Sequence, residues 1–198
     1  MKKWLVPVLI IGAIVVGFIM LFTGKYNTAV DKQEQARKTW ADVESAYQRR
    51  NDLIPSLVNT VKGAADFERS TLTEVIEAHS KATSINVDAE NMTQEQMQQF
   101  QQAQSQVSSA LSRLLVTVER YPELKATQNF QQLQSQLEGT ENSINVARNR
   151  YNETVTEYNR FIRRFPNNII TGFYGFDRMP VYEADTGSEN APDVKFDF

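Results

Sequence analysis

The chain has 198 residues, a net charge of −3 and a single histidine, and it contains no cysteine. The absence of cysteine excludes disulfides, thiolate metal sites, thiol catalysis and lipoprotein processing. The near-neutral, slightly acidic balance argues against a nucleic-acid partner and against a polybasic lipid-binding surface, since both need clustered basic residues.

The first predicted element is an uncharged apolar run from Trp4 to Phe22, which follows a basic N-terminus at residues 1–3. As a helix this run would be about 28 Å long, close to the ~30 Å hydrocarbon core of a bilayer. It is longer than the core of a secretory signal, and no small-x-small cleavage site follows it. We therefore predict a single-pass transmembrane anchor over residues 4–22. A cleaved signal and a buried soluble helix are the alternatives.

The charges that flank this run bear on its orientation. Lys2 and Lys3 favour a cytoplasmic N-terminus, with the rest of the chain outside the cell membrane. Basic residues on the other flank leave the opposite orientation open. Ala13 and Gly17 form a small-xxx-small pair through which two anchors could associate.

Two amphipathic helices are predicted after the anchor. The first covers residues 26–51. Asp52 is a good N-cap, and Pro55 would be tolerated in the first turn that follows, so a new helix or a sharp kink is predicted to begin at Asp52. The second helix is expected to run to about Ala82, before a polar connector.

Two longer helices follow, with apolar side chains at alternating steps of three and four residues. Thr93 and Gln96 predict a capping box at the start of the third helix, which Pro122 would end. The last helix is predicted over residues 128–165. Four amphipathic segments with short connectors predict an all-α domain over residues 26–166, arranged as an antiparallel up-and-down four-helix bundle.

The tail, residues 167–198, has a different composition. Its aromatic part, residues 169–176, is predicted to dock on the end of the bundle as an irregular or strand-like piece. Residues 183–192 are acidic and are predicted to be flexible. The chain closes on the alternating residues 194–198, which would pack on the body, stay disordered or add to the edge of a partner's sheet.

Three separated motifs resemble the LemA family. Residues 49–58 read RRNDLIPSLV and are similar to the family signature R-R-x-D-L-I-P-x-L-V. Residues 121–126 read YPELKA, and the third motif combines residues 147–152 with Tyr158-Asn159 and Phe165-Pro166. The resemblance implies a four-helix bacterial domain with a membrane anchor. It implies no reaction and no catalytic residues.

The residues themselves offer no constellation for catalysis. His79 is the only histidine, which excludes the paired Glu-x-x-His motifs of di-iron bundles. A Ser–His–Asp arrangement would have to recruit the same residue, and we read His79 as a boundary residue of its helix. No glycine-rich phosphate loop is present. We therefore predict no catalytic residue, no metal site, no cofactor and no small-molecule substrate.

A small set of charged residues forms the candidate partner-docking positions: Arg49, Arg50, Asp52, Arg148 and Arg150. The alternative for the first three is a helix cap with salt bridges. The alternative for the last two is an ion pair with Glu141 or Glu153 on their own helix.

These observations predict a non-enzymatic, membrane-anchored interaction or scaffold protein of the bacterial cell envelope, which binds a protein partner or another copy of itself. Two alternatives are an accessory subunit of a membrane protease or envelope enzyme, and a ligand-sensing bundle. A sensor would need a second spanning segment, and the sequence after Phe22 shows none.

Overall fold

The computed structural model describes residues 4–63, 67–88 and 92–183, and among these residues it contains helices and no strand. The helices are α1 (Leu5–Lys62), α2 (Arg69–Ser84), α3 (Gln94–Val118), α4 (Pro122–Lys125), α5 (Gln128–Arg163) and α6 (Asn167–Phe173). Residues 1–3, most of the predicted acidic stretch and the terminal residues 194–198 lie outside the described residues.

The first helix is continuous over 58 residues, a length of about 87 Å. The predicted start of a new helix at Asp52 is wrong, because Asp52 and Pro55 both lie inside α1, where the proline ring is exposed. The buried face keeps an unbroken three–four spacing through the proline, at Ala36, Trp40, Val43, Tyr47, Arg50, Ile54, Leu57 and Val61. Burial of this stripe outweighs the ~3 kcal/mol cost of a proline in a helix interior.

The break between the first two helices lies at Gly63 instead. Gly63 caps α1, with its N–H bonded to the carbonyl of Val61, and α2 begins at Arg69. Glycine loses more backbone freedom than other residues in a helix, which favours an end at this position. The helix predicted from Asp52 to Ala82 is therefore the end of α1 followed by α2.

The long helices pair in antiparallel fashion. The hydroxyls of Thr39 and Thr154 are 2.7 Å apart, and Lys32 lies 3.1 Å from Glu157, so α1 runs against α5. The ion pairs Glu74–Arg113 and Glu68–Arg120 align α2 against α3 in the same way.

The predicted ends of α3 and α5 are confirmed within a few residues. The hydroxyl of Thr93 accepts a hydrogen bond from the Gln96 N–H at 3.2 Å, and the Gln96 side chain accepts one from the Thr93 N–H at 2.9 Å. These two bonds form the capping box. The last long helix spans 36 residues and ends at Arg163, two residues earlier than predicted.

The core divides into two apolar clusters. We call the cluster further from the apolar N-terminal segment the distal cluster; it is mainly aliphatic and includes Ile54, Leu57, Val61, Val107 and Leu114. The proximal cluster is rich in aromatic side chains and includes Trp40, Tyr47, Phe100, Tyr151 and Tyr182. Its rings meet at centroid distances of 5.2–5.3 Å, in the tilted and edge-to-face arrangements that aromatic pairs prefer.

The apolar run from Trp4 to Phe22 forms the first part of α1. Among the described residues, α1 is the one helix that is long and apolar enough to cross a membrane, and no part of its most apolar window is buried. A core helix of a soluble protein would be largely buried, so the alternative of a buried soluble helix is wrong.

The start of the tail differs from the prediction. Residues Asn167–Phe173 form the helix α6 and not an irregular or strand-like piece. Buried Ile170 and Thr171 explain the helix, because they anchor one of its faces to the body. The chain then turns at Gly175, whose φ of 73° favours glycine, and runs back along α5 as an extended segment.

Candidate functional site

A polar layer centred on Arg50 separates the two clusters. Arg50 is 1% exposed. One guanidinium nitrogen donates to Glu141 at 2.8 Å and to Ser108 at 2.7 Å, and the other donates to the side-chain oxygen of Gln104 at 2.6 Å and to its carbonyl at 3.2 Å. The guanidinium also lies 5.0 Å from the centroid of the Tyr47 ring. A single side chain thus joins α1 to α3 and α5.

The two charges of this layer differ in their access to water. Arg50 is buried, whereas the Glu141 side chain is 41% exposed. A buried charge needs a counter-ion and hydrogen-bond acceptors. Glu141 supplies the counter-ion, and the partners satisfy the two terminal nitrogens, whereas the buried Nε of Arg50 has no hydrogen-bond partner among the described residues. The structure therefore corrects the prediction that Arg50 lies on a docking surface: it fixes the register of three helices from inside.

The other predicted docking residues lie at the surface or near it. Arg49 and Asp52 are exposed on α1, and Arg150 is exposed on α5. Asp52 is not an N-cap, since its carboxylate accepts from Gln48 at 2.9 Å in mid-helix. Arg148 is half-buried and stacks 3.9 Å from the centroid of the Tyr182 ring, in place of the predicted ion pair on its own helix.

The extended segment over residues 177–183, which we call the strap, is held by two asparagines of α5. Asn159 donates to the carbonyl of Met179 at 2.8 Å and accepts from the Met179 N–H at 3.0 Å. Asn152 makes the same pair of bonds to Tyr182, at 2.8 and 2.7 Å. Each side-chain amide thus pairs with the backbone as a neighbouring strand would.

The spacing of these asparagines matches the strap. Seven residues of helix rise about 10.5 Å, and three residues of extended chain rise about 10 Å. Asn152 and Asn159 therefore meet Met179 and Tyr182 in register, with the strap running antiparallel to α5.

Tyrosines seal the strap against the proximal cluster. Tyr151 donates to the carbonyl of Pro180 at 2.9 Å, and Tyr158 donates to the carbonyl of Asp177 at 2.8 Å. The hydroxyls of Tyr47 and Tyr182 are 2.5 Å apart. The strap is thus part of the core packing.

Burial also sets the chemistry of these phenols. It raises the pKa of Tyr158 to about 12 and raises the pKa values of Tyr151 and Tyr47 above the usual value for tyrosine. At neutral pH the phenols are therefore neutral hydrogen-bonding groups, unsuited to act as bases.

The strap is the feature that sequence reasoning missed. Its signal is the dipeptide Tyr-Asn, which occurs at residues 151–152 and again at residues 158–159. Both dipeptides belong to the third motif, and the spacing of seven residues puts the two asparagines on one face of the helix.

His79 offers little for catalysis. It is half-buried on α2, where desolvation lowers its pKa and the charge of Asp52 opposes that shift. The described residues contain no group of three or more histidine, aspartate or glutamate side chains that could hold a metal ion.

Comparison with known proteins gives the family. The sequence model of the LemA family matches residues 39–196. The chain belongs to the LemA family. All three motifs lie within the match, and so do the polar layer and the strap.

Two kinds of relative resemble this LemA-family chain over most of its length. Protein LemA of Metamycoplasma hominis is 23% identical over 167 residues, which cover 84% of this chain and 73% of that protein. Magnetosome proteins MamQ 1 and MamQ 2 of Paramagnetospirillum magneticum are each 26% identical over 187 residues, covering 85% of this chain and 68% of those proteins.

Proposed function

We propose that this chain is a single-pass membrane protein of the bacterial cell envelope whose helices form an up-and-down four-helix bundle that holds a protein partner near the membrane without catalysing a reaction. The observation that carries the proposal is the continuity of α1. The same helix contains the exposed apolar run up to Phe22 and the buried stripe that begins at Ala36. The bundle is therefore joined rigidly to the anchor.

The arrangement of the helices supports the bundle. Ion pairs join the antiparallel helices α1 and α5, and others join the antiparallel helices α2 and α3. Arg50 of α1 also bonds to both α3 and α5. Short connections between antiparallel helices are typical of up-and-down bundles.

The polar groups of the core support a role without catalysis. Arg50 has its hydrogen bonds committed to α3 and α5, and the buried tyrosines bond to backbone carbonyls and to each other. These groups stabilise the fold and offer no nucleophile–base pair at a substrate cleft. None of the relatives' names denotes a reaction.

The exposed charges on α1 and α5 are the proposed docking surface. Arg49, Asp52 and Arg150 are exposed, and Arg148 is half-buried at the rim of the strap. Guanidinium groups bind carboxylates with two parallel hydrogen bonds, so the surface fits a partner with exposed acidic side chains. We place the N-terminus in the cytoplasm and this surface outside, because Lys2 and Lys3 flank the apolar run.

Membrane attachment can be tested on the full chain in its native host. We expect the protein to stay with membranes in alkaline carbonate and to keep its first residues. A mature N-terminus near Tyr26, or release by carbonate, would show a cleaved signal and overturn the anchor.

Partner docking is tested by photo-crosslinking in intact cells. A photoreactive residue at Arg49 or Arg150 should give a discrete adduct. With the probe at Arg49, the substitutions Arg148→Glu and Arg150→Glu together should weaken the adduct at least fivefold. With the probe at Arg150, Arg148→Glu and Arg49→Glu together should do the same. The same probe at Glu123, exposed at the distal end, is the control. Equal adducts at all three positions would contradict the proposed surface.

A further inference from the structure

Large apolar side chains are exposed in and around α6. Phe165 is 81% exposed, Ile169 57%, Phe173 82% and Tyr174 53%. Ile169 and Phe173 lie four residues apart on one side of α6, and Phe165 lies in the turn that precedes this helix. We call these four residues the α6 patch. A contiguous exposed apolar patch marks an interaction site more often than scattered apolar residues do.

The position of the α6 patch relative to the anchor indicates what covers it. Tyr26 lies four residues beyond Phe22, a rise of about 6 Å, which is also the approximate depth of the headgroup layer on each side of the hydrocarbon core. The ring of Tyr26 lies 4.7 Å from that of Tyr174 and 5.6 Å from that of Phe176, measured between centroids. The end of α6 is therefore level with the headgroups that surround the anchor.

Positive charge accompanies the patch. From Tyr158 to Phe176 the sequence contains three arginines and no acidic residue. These residues, Arg160, Arg163 and Arg164, are exposed and line one shallow groove at the end of α5. The ammonium of Lys25 lies 6.0 Å from the Phe161 ring centroid, so the same end of the body carries a fourth cation. The near-neutral net charge of the whole chain conceals this local cluster.

We propose that the α6 patch and its three arginines bind the surface of an anionic membrane beside the anchor. The proposal rests on the anchor proposed above. Aromatic side chains are favoured at the headgroup level, where an apolar ring and a polar edge are both accommodated. Arginine pairs with lipid phosphates, and basic residues near the surface are attracted to anionic lipids. The chain would thus have two contacts with the bilayer: the anchor crosses it, and the α6 patch with its three arginines lies on its surface.

A fluorescent probe can test this contact, because the chain has no native cysteine. The full chain carrying Phe173→Cys, labelled with a nitrobenzoxadiazole dye, is reconstituted into vesicles of phosphatidylcholine with 30% phosphatidylglycerol. Headgroup spin-labelled lipid should quench the dye at least threefold more than it quenches the same dye at Asn129→Cys, which is exposed at the distal end. Vesicle flotation is measured on the same samples.

The outcomes separate the two proposals. A protein that fails to float with the vesicles disproves the anchor. A protein that floats while the dye at residue 173 is quenched no more than the dye at residue 129 disproves the membrane contact alone. If the dye fluorescence changes with the protein-to-lipid ratio, a second copy of the chain covers the α6 patch. This result would also overturn the proposed membrane contact.

The arginines are tested by charge removal with a matched control. Arg160→Gln, Arg163→Gln and Arg164→Gln together should at least halve the quenching at residue 173 in anionic vesicles and leave it unchanged in phosphatidylcholine alone. The control removes three cations from other exposed positions, Lys62, Arg69 and Lys81. Equal losses from both triple variants would overturn the role of the three arginines. Circular dichroism on each variant confirms that the helices are retained.

Discussion

The two halves of the core reach their stability in different ways. The distal cluster is mainly aliphatic and is held by the fit of side chains such as Leu57 and Leu114. The proximal cluster combines aromatic rings with buried hydroxyls, and its hydroxyls bond to the strap. Apolar packing tolerates substitutions that conserve shape. By contrast, the folded protein loses stability whenever a buried polar group is left without its hydrogen-bond partner. The proximal half should therefore be the more sensitive to conservative changes, and the strap should report on it.

The largest effect is expected from Trp40→Ala. Trp40 is fully buried against Phe100 and Tyr151, and removal of such a ring typically costs about 3–5 kcal/mol of unfolding free energy. Urea unfolding followed by circular dichroism measures the loss. Hydrogen exchange should also show early opening of residues 177–183. Leu114→Ala in the distal cluster is the comparison, and it should destabilise the fold without opening the strap first.

The polar layer should respond unequally to loss of its two charges. Glu141→Leu leaves the cation of Arg50 buried without a counter-ion, at a cost of about 3 kcal/mol or more. Arg50→Met leaves a carboxylate that is already 41% exposed to water, together with an unpaired Gln104 oxygen, at a cost of about 1–3 kcal/mol. Urea unfolding of both variants measures the two losses in the free energy of unfolding, and we expect the larger loss in Glu141→Leu. A larger loss in Arg50→Met would contradict this account of the layer.

The strap should be released by single changes in α5. Asn152→Ala and Asn159→Ala each remove two hydrogen bonds, for a loss of about 1–3 kcal/mol that is concentrated at the strap. Limited trypsin digestion should then cleave after Arg178 at least tenfold faster. Asn149→Ala, an exposed asparagine on the same helix, is the matched control and should leave cleavage unchanged.

The smallest effect concerns alkaline pH. The pKa values of Tyr47, Tyr151 and Tyr158 are raised, so the unfolded state loses these protons near pH 10 while the folded state keeps them. The stability present below pH 10 is therefore lost as the pH rises towards 12. Absorbance of tyrosinate at 295 nm should show that Tyr47, Tyr151 and Tyr158 ionise at a higher pH in the folded protein than in the unfolded chain. Tyr158→Phe should flatten the decline of stability over the same range.

Much of the helical pattern could be predicted from the sequence, because it rests on local spacing and on strong end signals. The capping box at Thr93 is of this kind, whereas Pro122 begins α4 four residues after α3 has ended at Val118. The local preferences of Asp52 and Pro55 predict a new helix at Asp52, but the buried stripe outweighs them and α1 continues. Extended through Arg50 and Ile54, the stripe keeps its spacing without a gap. The same extension would have placed Arg50 inside the protein.

The strap could not be predicted because it depends on contacts between distant parts of the chain. The bonds of Asn152 and Asn159 join residues 20–30 positions apart, and the pairing of Tyr47 with Tyr182 spans 135 positions. Periodicity identifies the face on which an asparagine lies but not the backbone it meets. The repeated Tyr-Asn dipeptide indicated a shared partner without identifying it.

The unbroken course of α1 has a mechanical consequence for the proposed membrane anchor. Phe22 and Trp40 are separated by about 27 Å of helix with no proline or loop to act as a hinge. A tilt of the spanning segment by about 10° would therefore carry Trp40 sideways by about 5 Å, and transmembrane helices commonly tilt by about 20°. Bilayer thickness would in this way set the angle at which the soluble helices stand, and distance measurements between spin labels in thin and thick bilayers would reveal a change in that angle.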